Sequence, residues 1–259
     1  MAGSIRLFVA APLYEGAVVS ATAAQAHYLA HVMRRSAGDA VRLFNGSEGE
    51  WEAAIAGLRR EQGSFAVSRR VRPQAAEPDL WLAFAVLKRD ATELVVRQAT
   101  EMGTAVIQPV LTAHTNAAHL RLERLAAIAT EAAEQCERLS VPVLHPALPL
   151  PALLDRWPVG RRLAVAVERT GAPAAPVAAG GLLVGPEGGF GAAELDGLRP
   201  RPFVVPLSLG PRILRAETAV VAGLSLLQAA WSGAAQAERG QAAPGPETVP
   251  GRNAALPPA

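Results

Sequence analysis

From Leu80 onward, short apolar runs alternate with amphipathic stretches of helical length. A chain written that way has few solutions other than a mainly parallel α/β sheet with helices on its faces. Strands are expected at Leu80–Leu87, Ala105–Val110, Leu163–Val167, Leu182–Val184 and Phe203–Pro206. Between them, Asp90 is placed to cap a helix running to Met102, and Leu120–Leu139 carries Leu122, Leu125, Ile128, Ala129, Ala132 and Cys136 on one stripe. A closing helix, about Ala216 to Trp231, presents Val220, Val221, Leu224, Leu226 and Leu227. So apolar a helix belongs in a core or a subunit interface.

The first seventy residues follow a different rule. Ile5–Val9, Ala40–Phe44, Trp51–Leu58 and Ser64–Val71 read as short strands, with Asn45-Gly46-Ser47 as a tight turn and one helix, Ala23–Arg34, carrying Ala26, Leu29, Ala30 and Met33 at helical spacing. These fit a small β-barrel or a compact α+β unit. Arg72-Pro-Gln-Ala-Ala-Glu-Pro78 breaks both periodicities and reads as a linker. The expected division is therefore 1–72, 73–232, and a tail at 233–259 poor in large apolar residues and expected to be disordered.

Composition excludes some classes. Apolar runs fall far short of the roughly 20 residues a membrane span needs, and no signal-like basic-apolar-small sequence opens the chain. The cytoplasm is the default compartment, with no membrane partner. Cys136 is the only cysteine, which rules out an internal disulfide and a cysteine-rich zinc site; packing is the expected role of that thiol. His27 and His31, four apart on a helix, lack a nearby third ligand, so no metal is expected. Net charge is only +2, but residues 1–75 hold nine Arg against six Asp and Glu. Twenty-four of the 25 basic residues are Arg, Lys88 being the exception. Nucleotide-composition bias explains much of that count, yet guanidinium groups also suit bidentate phosphate contact and stacking on bases.

Two late segments carry the chemistry. Leu183-Val-Gly-Pro-Glu-Gly-Gly-Phe190 joins a short strand to a helix, and its glycines let backbone groups approach a ligand. The Gly-x-Gly-x-x-Gly dinucleotide fingerprint fails, since Glu194 stands at its last position, and no Gly-Lys-Ser/Thr exists for a phosphate-cradling loop. Leu209-Gly-Pro-Arg-Ile-Leu-Arg-Ala-Glu-Thr218 follows the next strand and sets Arg212, Arg215 and Glu217 beside a sharp turn. Arg215 and Glu217 equally suit a plain helix start.

The tandem "LLVGPEGGF" (182–190) and "LSLGPRILRAETA" (207–219) resembles the signature of the ribosomal RNA small subunit methyltransferase E family, of the SPOUT superfamily. "ATEMGTAVIQPVLT" (99–112), "EAAEQCERLSVPVL" (131–144) and "HYLAHVMRRSAGDAVRLFNGSEGEW" (27–51) resemble it too, in order, so the likeness runs over roughly residues 4–231. Two departures stand out: Ala113-His114-Thr115 where the family usually has an Arg, and Glu137 where it has Gly.

The resemblance implies a PUA-like RNA-binding domain followed by a parallel-sheet methyltransferase domain threaded into a trefoil knot, acting as a homodimer. It implies methylation of uridine N3 in 16S ribosomal RNA with S-adenosyl-L-methionine, on naked RNA or an assembled small subunit. Carried over by position, Val184, Gly185, Glu187 and Gly188, then Val205, Leu207, Leu209, Gly210 and Leu214, are the expected cofactor residues. Arg212 or Arg215 is the candidate for stabilising the uracil anion, with Glu217 or Glu187 holding the guanidinium in place; the proton acceptor stays open. Arg6, Arg34, Arg35 and Arg42 are the candidates for RNA phosphate contact. The alternatives are another SPOUT reaction, such as ribose 2′-O methylation, and a non-catalytic RNA-binding or ribosome-assembly protein.

Overall fold

The structure, a computed structural model, describes residues 5–59, 62–115, 120–167 and 179–241. The N-terminal unit comprises β1 (Arg6–Phe8), β2 (Val18–Ala21), α1 (Ala23–His27), β3 (Ala40–Phe44), β4 (Glu50–Arg59) and β5 (Gln62–Arg72). Its strands form one sheet in the order β1-β3-β4-β5-β2, with only β1 and β3 parallel. Alternation sets the inner face: Val41 and Leu43, Ala53 and Ile55, Phe65 and Val67 point into one core with Leu29 from the helical segment.

Thr22 starts α1 with a capping box, its hydroxyl accepting from Gln25 N–H while the Gln25 side chain accepts from Thr22 N–H. The expected helix to Arg34 does not stay α-helical. It widens into a π-helical turn, Tyr28–Val32, and Arg35 N–H reaches back to the Leu29 carbonyl at 2.8 Å.

The second unit holds β6 (Trp81–Ala85), α2 (Arg89–Glu101), β7 (Val106–Leu111), α3 (Leu122–Gln135), β8 (Val143–Leu144), β9 (Leu148–Pro149), α4 (Leu150–Asp155), β10 (Leu163–Ala166), β11 (Gly181–Val184), α5 (Ala192–Leu198), β12 (Val204–Leu207) and α6 (Ala216–Gln241). All its strands are parallel, ordered β12-β10-β11-β6-β7-β8, with β9 also on β7. Both faces are covered, which is why the strands are continuously apolar. Leu82, Phe84, Leu182 and Val184 pack with α2, α3 and α6, whereas Ala83, Val165 and Leu183 pack with α4 and α5.

Three elements depart from expectation. Lys88, not Asp90, occupies the N-cap of α2; Asp90 sits in the first turn, where a carboxylate complements the helix dipole. Cys136 ends α3 as its C-cap rather than lying on the helical stripe. Helix α6 runs ten residues past Trp231, to Gln241; the remainder of the expected tail lies outside the described residues. Pro109 sits mid-strand in β7 without disrupting it, because β8 pairs with Val106 and Ile107 and β9 with Val110 and Leu111, leaving a gap opposite the proline. No described helix is long and apolar enough to cross a membrane.

Candidate active site

Strands β10, β11 and β12 lie side by side, and the loops leaving their C-terminal ends enclose a cavity of about 620 Å³. Ligands of open α/β sheets bind at this edge, where backbone amides and helix starts converge. The 185–191 loop forms one wall. A Cβ on residue 185 would stand 3.1 Å from the Phe190 ring, so the aromatic side chain closes over bare backbone. Gly189 (φ +70°) and Gly210 (φ +103°) turn the two loops in the left-handed region, which side chains other than hydrogen resist. Glu194 secures the first loop, accepting from Gly191 N–H at 2.8 Å with one oxygen and from Ala113 N–H at 2.8 Å with the other.

Of the expected cofactor residues, Val184, Gly185, Gly188, Leu209, Gly210 and Leu214 line this cavity. Val205 and Leu207 do not: they lie within β12, Leu207 fully buried beneath the loop that follows. Glu187 faces the other way. Sequence reasoning missed Ala166 and Val167 at the end of β10, and Ala216 and Ala219 on α6. Their place follows from β12 crossing to the far side of β10, which no local pattern announces.

Behind the glycine loop lies a second hollow of about 660 Å³, between the start of α2 and the two loops. The loops feed both spaces by alternation. Gly188 and Arg212 face the first, while Glu187, Arg215 and Glu217 face the second, together with Lys88 and His114. Lys88 is set by a buried anchor: the Thr92 hydroxyl donates to the Leu87 carbonyl at 3.0 Å and accepts from Leu87 N–H at 3.2 Å. The expected trio of Arg212, Arg215 and Glu217 is thus divided between the spaces. Nor do Glu217 and Glu187 hold a guanidinium: among the described residues, no ion pair joins either carboxylate to Arg212 or Arg215.

The arginines expected to meet RNA also separate. Arg34 and Arg35 are exposed after the π-helical turn. Arg42 is partly exposed and 3.9 Å from Glu50. Arg6 is not available to RNA, because only 7% of its side chain is exposed. It spans the two units instead, bonding Glu50, then the carbonyls of Ala133 (3.0 Å), Glu134 (2.8 Å) and Arg138 (2.7 Å) at the end of α3, with Phe44 beneath it at 4.5 Å. A fixed cation there satisfies carbonyls that the helix leaves unpaired. Burial raises the Glu50 carboxyl, but hydrogen bonds from Arg72 and Arg6 outweigh it and hold the group below its usual range.

His27 and His31 have ring centroids 4.7 Å apart, and among the described residues no group of three or more His, Cys, Asp or Glu is arranged to hold a metal.

Comparison with known proteins agrees with this architecture. A profile described as an RNA methyltransferase domain matches residues 75–228, and one described as an RNA methyltransferase PUA domain matches 21–65. A Rickettsia conorii ribosomal RNA small subunit methyltransferase E is 30% identical over 227 residues, 85% of this chain and 93% of its own. The protein of that name from a Synechocystis strain is 34% identical over 240 residues, 86% of this chain and 77% of its own. Among solved structures, a Legionella pneumophila protein described as a methyltransferase in complex with the bound cofactor SAM superposes with a TM-score of 0.78 at 28% identity, covering 88% of this chain and 98% of that one. With one such profile spanning more than half of the 259 residues and both relatives aligned along most of their length, the chain belongs to the ribosomal RNA small subunit methyltransferase E family.

Proposed function

We propose that the protein transfers a methyl group from S-adenosylmethionine to N3 of a uridine in 16S ribosomal RNA of the small subunit, giving 3-methyluridine and S-adenosylhomocysteine. The observation that carries this reading is the cavity shared by the two glycine-containing loops. Its volume of about 620 Å³ falls within the roughly 300–1,000 Å³ of small-molecule sites. Among the described residues that line it, Arg212 is the only charged one, and apart from Ser208 the rest is backbone and apolar side chains. That lining fits an adenosine and a methionine portion, which need shape and a few hydrogen bonds rather than a phosphate nest. The 28% identical Legionella structure carries the same cofactor.

Val184, Gly185, Gly188, Leu209, Gly210 and Leu214 would hold the cofactor, with Val205 and Leu207 supporting the second loop from within β12. When bound, it supplies an electrophilic methyl group to a nucleophile presented in line. Arg215 and Lys88 face the neighbouring hollow and serve as donors to the uracil oxygens, where charge develops as the N3 proton leaves. Arg212 stands at the cofactor side of the same loop. Arg34 and Arg35 on the N-terminal unit would meet phosphates.

The reading includes a homodimer and a trefoil knot. Supporting the knot, β12 pairs on the far side of β10 from β11, and α6 then returns to pack beside Leu182 and Val184 of β11.

The test incubates the protein with labelled cofactor and either naked 16S RNA or small subunits lacking the modification, then maps the product. N3 methylation blocks Watson–Crick pairing, so reverse transcription should stop at one uridine at any nucleotide concentration. Label in neither substrate, or a stop seen only at low nucleotide concentration, would sink the reading. The Arg215→Ala variant should bind cofactor as the wild type does and lose about 10²–10³-fold in rate.

A further inference from the structure

The N3 proton of uracil must leave as the nitrogen is alkylated, and it needs an acceptor whose lone pair faces the base. The second hollow contains an imidazole held as if for that task. His114 sits on a tight turn after β7 in which Thr115 N–H donates to the Thr112 carbonyl and Thr112 N–H to Thr115 Oγ1, both at 3.0 Å. The two hydroxyls lie 2.8 Å apart. Glu194 ties this turn to the glycine loop through the N–H groups of Ala113 and Gly191. The ring therefore packs against Gly188, where a Cβ would lie 3.3 Å from Nδ1.

His114 Nδ1 is 3.1 Å from the carbonyl oxygen of Gly189. A carbonyl only accepts, so in the neutral ring the proton belongs on Nδ1 and the lone pair on Nε2. Among the described residues, Nε2 has no hydrogen-bond partner. The same hollow holds Lys88 and Arg215 as donors, and Asp90, Glu187 and Glu217 as carboxylates. Among the described residues that line it, two cations against three carboxylates make a poor phosphate site but a suitable one for a neutral base with both donor and acceptor edges. As a class, an imidazole is a better proton acceptor than a carboxylate.

We propose that His114, fixed in its Nδ1–H tautomer by the Gly189 carbonyl, is the proton acceptor for uridine N3, the uracil being seated between His114, Lys88 and Arg215. This rests on the uridine N3 reading above. The N3–H bond breaks as its proton passes to Nε2, and the electron pair left on N3 forms the new N–CH3 bond. The pair of the S–CH3 bond returns to sulfur, giving a neutral thioether. The imidazolium then releases the proton to water, so each turnover yields one proton. Glu194 is a positioning residue, acting through the turn that carries His114.

The experiment uses the full chain in two arms. In the first, His114→Ala and His114→Gln should bind S-adenosylmethionine and melt like the wild type, yet form 3-methyluridine at least about 10²-fold more slowly. Added imidazole should restore part of the rate to His114→Ala and none to His114→Gln. In the second arm, ¹⁵N NMR of the cofactor-free protein should show Nδ1 protonated and Nε2 bare. Uridine 5′-monophosphate should shift the Nε2 resonance, and 3-methyluridine 5′-monophosphate, which has no N3–H to donate, should not. A His114→Ala rate within about threefold of wild type overturns the proposal, as does an Nε2–H tautomer. So does an Nε2 signal that uridine monophosphate leaves unmoved, which, with a rate loss that imidazole does not rescue, would assign His114 a purely structural role. A wild-type protein that makes no 3-methyluridine would instead overturn the assigned reaction, an outcome read without any variant.

Discussion

At Gly185 a Cβ would stand 3.1 Å from the Phe190 ring, tighter than an ordinary van der Waals contact, so the ring would have to give way. Gly185→Ala should push that ring outward and spoil the wall of the cavity while leaving β11 beneath it intact. Isothermal calorimetry should find S-adenosylmethionine bound about tenfold more weakly, equivalent to about 1.4 kcal/mol, with little change in melting temperature. The glycines and the two loop arginines were legible because neighbours in sequence remain neighbours in a loop. Lys88 and His114 were not, since they reach the same hollow from the start of α2 and the end of β7. Arg6 shows the opposite failure. Its charge suggested phosphate, but a formal charge does not reveal whether a guanidinium faces water or the open end of a helix more than a hundred residues away.

Helix α3 ends with a residue ill suited to its backbone. Glu137 follows the C-cap Cys136 and takes φ +63°, a left-handed conformation in which glycine is free of Cβ strain. Its carboxylate lies 4.0 Å from Arg72 and is 73% exposed, so that pair contributes little. Glu137→Gly should therefore stabilise the protein, by about 0.5–1 kcal/mol after the greater freedom of glycine in the unfolded chain is offset; urea denaturation would measure it. A destabilised variant would show that the Arg72 contact outweighs the strain. The same chemistry decided which elements could be read in advance. Strands β6, β10 and β11 declared themselves as apolar runs because both faces are covered. Strands β8 and β9 have two residues each and α4 six, within a proline-rich stretch, too short for either period to register. Nor does periodicity separate an α-helical turn from a π-helical one, so the widening at Tyr28 was invisible.

The two units meet over Phe8, Phe44, Ala133, Leu139 and Val141, with the polar contacts of Arg6, Arg72 and Glu134 around them. Burial pushes the Glu134 carboxyl up to about 7, against the hydrogen bond it accepts from Phe8 N–H and the charge of Arg6. The folded protein therefore keeps a proton that the unfolded chain releases near 4.5, so this group makes stability fall as pH rises from about 4.5 to about 7. Glu134→Gln keeps an acceptor for Phe8 and should remove that slope. The expected gain at pH 8 is on the order of 1–2 kcal/mol, allowing for partial exposure, with none at pH 4. Denaturation midpoints at the two pH values would read it, and an equal gain at both would refute the titration. The Arg6 contacts also set a timetable for biosynthesis. Chains grow from the N-terminus at roughly 5–20 residues per second, so Arg6 is made roughly 6 to 25 seconds before the Ala133 carbonyl it binds 127 residues later. During that interval Glu50 is held by Arg72, only 22 residues away. The newborn first domain can thus fold early, but its opening strand gains its last anchorage only when α3 has emerged.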